Sequence, residues 1–106
     1  MSAYRVVYIT IPGRRAEDLA KRLINEKMAA CINVIDSVKS LYPWKGEIKV
    51  EPESLLLVKT TTKQVENLIK FVRENHEYDI PEVISVEVAE GNPDYLNWLH
   101  EETIPV

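Results

Sequence analysis

The chain is poor in the residues that would announce several common kinds of protein. It has a single cysteine, Cys31, among 106 residues, so no internal disulfide can form and the expected setting is a reducing compartment, the cytoplasm. Three glycines are too few for a glycine-rich phosphate loop or a dinucleotide fingerprint, and neither pattern occurs. No nucleophile elbow and no nucleophile–base pair can be named, so the chain is not expected to be an enzyme. Positive charge is in deficit. The 13 basic and 17 acidic side chains leave a net charge of −4, which argues against nucleic acid as a partner, because no basic excess exists to displace phosphate counterions. No apolar run approaches the ~20 residues of a membrane-crossing helix, so no membrane insertion is expected. The first residues lead straight into a strand-like stretch without the pattern of a signal peptide.

What remains is the composition of a globular domain: 45% hydrophobic and 28% charged residues. At 12.2 kDa, area scaling leaves roughly 6,000 Å² exposed and buries about two thirds of the unfolded surface. One domain over residues 1–106 is expected, with no linker or low-complexity segment.

Val6-Val7-Tyr8-Ile9-Thr10-Ile11 is β-branched and aromatic, and it stops at Pro12-Gly13, which reads as a central strand. Ala16, Leu19, Ala20, Leu23, Ile24 and Met28 recur on one helical face, with Glu17–Lys21 and Asp18–Arg22 as i,i+4 pairs opposite. A second extended run goes from Cys31 to Trp44, Lys45-Gly46 reverses it, and Ile48 and Val50 resume alternation, with Pro52 marking a bulge or unpaired edge on the returning arm. Leu55–Val58 reads as another central strand. Thr61 to Gln64 fits a capping box opening a helix that ends near Asn75. Val83–Val88 alternates as a strand, and Asn92-Pro93 should start a short terminal helix. The order β-α-β-β-α-β plus a helix predicts a ferredoxin-like α+β fold, an antiparallel sheet with helices on one face.

The hairpin around Lys45-Gly46 is too long for such a body. Arms of roughly 12 residues span about 40 Å, whereas a domain of this size has a radius of gyration near 13 Å. Tyr42, Trp44, Ile48 and Val50 near its tip would form a bare apolar edge. A homo-oligomer, in which other copies cover the ribbon, is the expected resolution.

Candidate ligands are few. Cys31 could offer a soft thiolate to a metal or sit as a small core residue. His76 could ligate copper or zinc through its imidazole, or simply hydrogen-bond in a loop. His100 is expected near its own helix C-terminus. Glu47, Glu51 and Glu53 share one side of the returning arm as a solvated face, and Gly13-Arg14-Arg15 could hold an anion. Tyr42, Trp44, Tyr78, Tyr95 and Trp98 should pack hairpin, connector and terminal helix together, or floor a cleft at a subunit junction edged by Lys59 and Glu82.

Five separated blocks, namely Glu26–Asn33, Ser40–Ile48, Leu57–Thr60, His76–Val83 and Asn92–Trp98, resemble the CutA family of divalent-cation tolerance proteins over nearly the whole chain. The resemblance implies a compact homotrimer locked by long hairpins, similar in architecture to PII signalling proteins, and a role in tolerance to copper and other divalent cations. Copper-binding bacterial members place a cysteine late in the first strand and a His-His pair before the tyrosine. Here those positions read Ile9 and Asn75-His76, so the resemblance implies Cu(II) or another divalent cation weakly bound, with Cys31 and His76 as the metal ligands available. The alternative it implies is a PII-like regulatory or scaffold trimer that takes a small molecule or a protein partner in its inter-subunit clefts.

Overall fold

A computed structural model describes residues 2–104. β1 (Tyr4–Ile11) alternates so that Val7, Ile9 and Ile11 point to one side and are buried. α1 (Gly13–Asn25) follows, and Ala16, Leu19, Ala20 and Leu23 line its buried stripe. β2 (Cys31–Trp44) and β3 (Glu47–Thr61) form the long hairpin. α2 (Thr62–Asn75), β4 (Val83–Glu87) and α3 (Pro93–Glu102) complete the chain. The four strands make one sheet in the order β2-β3-β1-β4, with every neighbouring pair antiparallel. Leu19 and Leu23 of α1, Leu68 and Val72 of α2, and Val7, Ile9, Leu56 and Val58 of the sheet share one core, so α1 and α2 lie on one face. The central position read for β1 holds: it lies between β3 and β4.

Among the described residues the opposite face is met by a helix at its Cys31–Lys59 end, where Tyr95 of α3 lies against the Cys31 thiol, and is open beyond it. Paired residues of adjacent strands point the same way, so Val6–Val86 and Tyr8–Ile84 belong to it, joined across β3 by Lys59, Leu57 and Leu55. Tyr8, Ile84 and Val86 are exposed there. β1 ends at the pair Ile11–Ser54, so from Glu53 outward β3 has only β2 beside it. This free ribbon carries Leu41, Ile48 and Val50, with Ile48 76% exposed. The molecule is accordingly elongated, 45 × 26 × 22 Å.

The hairpin turn is as read: Lys45 and Gly46 both hold positive φ, 50° and 82°, in the handedness that matches strand twist. The bulge is on the other strand. Ile35 pairs with Leu55 and Val38 with Glu53, which leaves one extra residue in β2, and Ser37 takes up the strain at φ 61°. The Ser54 hydroxyl donates to Asp36 Oδ1 at 2.8 Å, holding the bulge where the ribbon leaves the sheet. Pro52 pairs in register with Lys39. It is tolerated because β1 has already ended, so its missing N–H has no second strand to serve.

Two side chains expected to act locally act at a distance instead. Thr61 is the N-cap of α2, but its side chain makes no capping bond. Gln64 is buried, and its Nε2 donates to the Thr103 carbonyl at 3.0 Å, tying α2 to the end of α3. Arg22 does not pair with Asp18. Its guanidinium lies 5.1 Å over the Phe71 ring and donates to Asn75 Oδ1 at 2.7 Å. Lys21 and Glu17 do pair, at 3.4 Å. Asn92 caps α3 as expected, accepting from the Asp94 N–H at 3.1 Å.

Candidate functional site

The segment from His76 to Glu82, between α2 and β4, is fastened to the sheet at several points. His76 Nδ1 accepts from the Tyr78 N–H at 3.0 Å, which requires its Nε2 to carry the proton and donate to the Thr10 carbonyl at 2.8 Å. The Tyr78 hydroxyl donates to Glu53 Oε2 at 3.0 Å. Arg14 pairs with Glu77, and the Thr10 hydroxyl lies 3.4 Å from Glu82 Oε1. Between this segment and the root of the ribbon lies a cavity of about 600 Å³, walled by Tyr42, Trp44 and Tyr78 and by the carboxylates of Glu53, Asp79 and Glu82. Burial first, then the hydrogen bond to the Glu53 carboxylate, push the Tyr78 phenol up from its ordinary pKa. Tyr42 is also raised, by desolvation and then by Glu51 and Glu53.

Glu53 departs from its expected place on a solvated face: it is only 6% exposed. The sequence signal that marks it is its position directly before the buried run that starts at Ser54. Thr10 was likewise not singled out, and it is the residue that connects His76 and Glu82 to β1.

Cys31 lies elsewhere. It pairs with Lys59, while Thr10 pairs with Leu55, so four positions of β3, about 13 Å, separate the neighbourhoods of Cys31 and His76. No single ion with ligand bonds near 2.0–2.3 Å could reach both within one chain. Cys31 is half-buried at the margin of the sheet. Its thiol sits against Tyr95, whose phenol is pushed up to about 12 by burial first and then by that thiol. The expected aromatic cluster is therefore two clusters: Tyr42, Trp44 and Tyr78 at the cavity, and Tyr95 with Trp98, ring centres 5.6 Å apart, on α3. Lys59 accompanies the second and Glu82 the first. Among the described residues no three of His, Cys, Asp and Glu converge as ligands for one ion.

A four-stranded antiparallel sheet with two helices on one face, a third helix at its end and a projecting ribbon defines the class of protein. Residues 5–102 match the CutA1 divalent ion tolerance protein family, and the chain belongs to it. The divalent-cation tolerance protein CutA of Thermus thermophilus is 44% identical over 92% of this chain and 96% of its own length. The chloroplastic CutA protein of Arabidopsis thaliana is 42% identical over 92% of this chain, which spans 54% of that longer protein. The crystal structure of CutA1 from Oryza sativa superposes with a TM-score of 0.94 at 39% identity, covering 97% of this chain and 95% of the other. Among the described residues no helix is long and apolar enough to cross a membrane.

Proposed function

We propose that the chain is a non-catalytic divalent-cation tolerance protein, a ferredoxin-like subunit of a cytoplasmic homotrimer that binds Cu(II) or another divalent cation weakly. The observation that carries this reading is the family match across residues 5–102. The strand order β2-β3-β1-β4 with α1 and α2 on one face supports the ferredoxin-like topology. The open part of the apolar face and the ribbon support assembly, since such area is dry only against another surface. A divided ligand set supports weak binding. Cys31 offers a soft donor at the sheet margin, and His76 must give up a backbone partner before either ring nitrogen can reach a metal.

Calorimetric titration with Cu(II) and Zn(II) tests the ligands in wild type, Cys31→Ser and His76→Ala. The expected result is measurable binding in wild type, reduced about tenfold by loss of the thiolate, which corresponds to about 1.4 kcal/mol. Identical isotherms for all three proteins would remove both residues from the ligand set, and no heat with wild type would overturn cation binding itself. Light scattering should give three times the 12.2 kDa subunit mass.

A further inference from the structure

β2 contains one residue more than its pairing needs. Ile35 pairs with Leu55 and Val38 with Glu53, so Asp36 and Ser37 together stand opposite Ser54 alone. The surplus serves neither register nor face. With Ser37 removed, Asp36–Ser54 and Val38–Glu53 would follow Ile35–Leu55 as a regular ladder, and every side chain beyond would keep its side of the ribbon. The surplus is also strained, because Ser37 is a non-glycine residue at φ 61° in the sparsely populated left-handed region. It is nevertheless anchored. Ser54 is buried, its hydroxyl donates to Asp36 Oδ1 at 2.8 Å, and its Oγ lies 3.4 Å from where a Cβ on Gly13 would stand, against the first turn of α1. That anchor sits at the last β1–β3 pair, Ile11–Ser54, where the sheet ends and the ribbon begins.

What a bulge does change is direction, since it bends its strand and increases the local twist. We infer that the Asp36-Ser37 bulge is an aiming element, which sets the angle at which the ribbon leaves its own sheet and so seats the ribbon against a second copy of the chain. The inference rests on the homo-oligomer reading and adds to it the residue that makes the ribbon fit. The side to be seated is defined. Val50 and Ile48 keep the parity of Leu56 and Val58, so with their partners Leu41 and Pro43 they prolong the helix-bearing face past the reach of the helices. Leu41, Ile48 and Val50 are exposed there. The Trp44–Glu47 pair lies about 23 Å beyond Ser54 at the strand rise, so each ~10° of bend at the root displaces the tip by about 4 Å. A displacement of that size takes an apolar side chain out of contact with its neighbour.

Sedimentation of the full chain over a dilution series tests this with wild type and three variants. Deletion of Ser37 should leave the far-UV circular dichroism of the subunit unchanged and raise the concentration for half-assembly at least tenfold. Ser37→Gly keeps the bulge with a residue that accepts positive φ, and it should assemble within about twofold of wild type. Ser54→Ala cuts the anchor and leaves the exposed Asp36 carboxylate to water. It should weaken assembly severalfold, and it carries the test if the deletion does not fold. A folded deletion that assembles as well as an assembled wild type would overturn the inference and leave the homo-oligomer standing. So would Ser37→Gly as weak as the deletion, since the side chain and not the bend would then matter. Where the deletion does not fold, unchanged assembly in Ser54→Ala overturns the inference in the same way. Wild type that is itself a single subunit of 12.2 kDa would remove the assembly reading, and the inference with it.

Discussion

Lys27 holds φ at 59° just past the end of α1. The Met28 N–H donates to the Leu23 carbonyl and the Lys27 N–H to the Ile24 carbonyl, both at 3.0 Å, which is the closing pattern that glycine usually serves. A side chain there costs about 1 kcal/mol. Lys27→Gly should therefore raise stability by at most about 0.5 kcal/mol after the added freedom of the unfolded chain is subtracted, read as a slightly higher urea midpoint, whereas Lys27→Ala should give no gain. Tyr95 makes a second prediction. Its folded-state value of about 12 lies above the ordinary 10.0, so between those values the unfolded chain releases the proton first. The stability held by the neutral phenol is intact below pH 10 and is lost as pH rises toward 12. Thermal scans across that window should show a falling midpoint, less steep in Tyr95→Phe. Some slope should persist, because Tyr78 is shifted in the same direction.

Helices and strands were legible because each apolar period is uninterrupted: Ala16 to Leu23 at helical spacing, Val7 to Ile11 at alternate positions. What escaped depends on which element stands beside which. Pro52 does mark an unpaired edge, since β1 has ended before it, but nothing local to it places the bulge in β2, where the Asp36–Ser54 bond and the end of β1 lie. The candidate site divides for the same reason. Nothing local to Cys31 or His76 tells that β3 holds their neighbours Lys59 and Leu55 apart, and the burial of Glu53 requires the Tyr78 segment to fold back over it. Gln64 is a third instance: its spacing from Thr61 fits a capping box, but the side chain is spent on the Thr103 carbonyl. The two roles predict different mutants. In a capping box Gln64→Glu is harmless. Facing a buried carbonyl, the carboxylate offers an acceptor to an acceptor, so Gln64→Glu should cost at least as much as Gln64→Ala, which should lose about 1–3 kcal/mol. Denaturant titration of the two variants reads the difference.

The whole molecule exposes 7078 Å², about 1,000 Å² more than a monomer of this mass normally shows. Its radius of gyration of 14.3 Å also exceeds the ~13 Å expected for the length. The excess is not polar decoration. Leu41, Ile48 and Val50 are exposed on the ribbon and Tyr8, Ile84 and Val86 on the open face of the sheet, so both surfaces call for cover by the same hydrophobic argument. If copies supply that cover, folding and association are linked, and the thermal midpoint must rise with protein concentration. Ile48→Lys places a charge where a neighbour would have to desolvate it, at a position already 76% exposed in the single chain. Within one subunit the change should be almost neutral, since solvated surface substitutions usually stay within about 0.5 kcal/mol. In an assembly it should lower the mass measured by light scattering toward 12.2 kDa and abolish the concentration dependence of the midpoint. Wild type that already sediments as a single subunit at micromolar concentration, or Ile48→Lys that leaves mass and midpoint unchanged, would mean that the ribbon stands free in water and that its apolar edge has some other occupant.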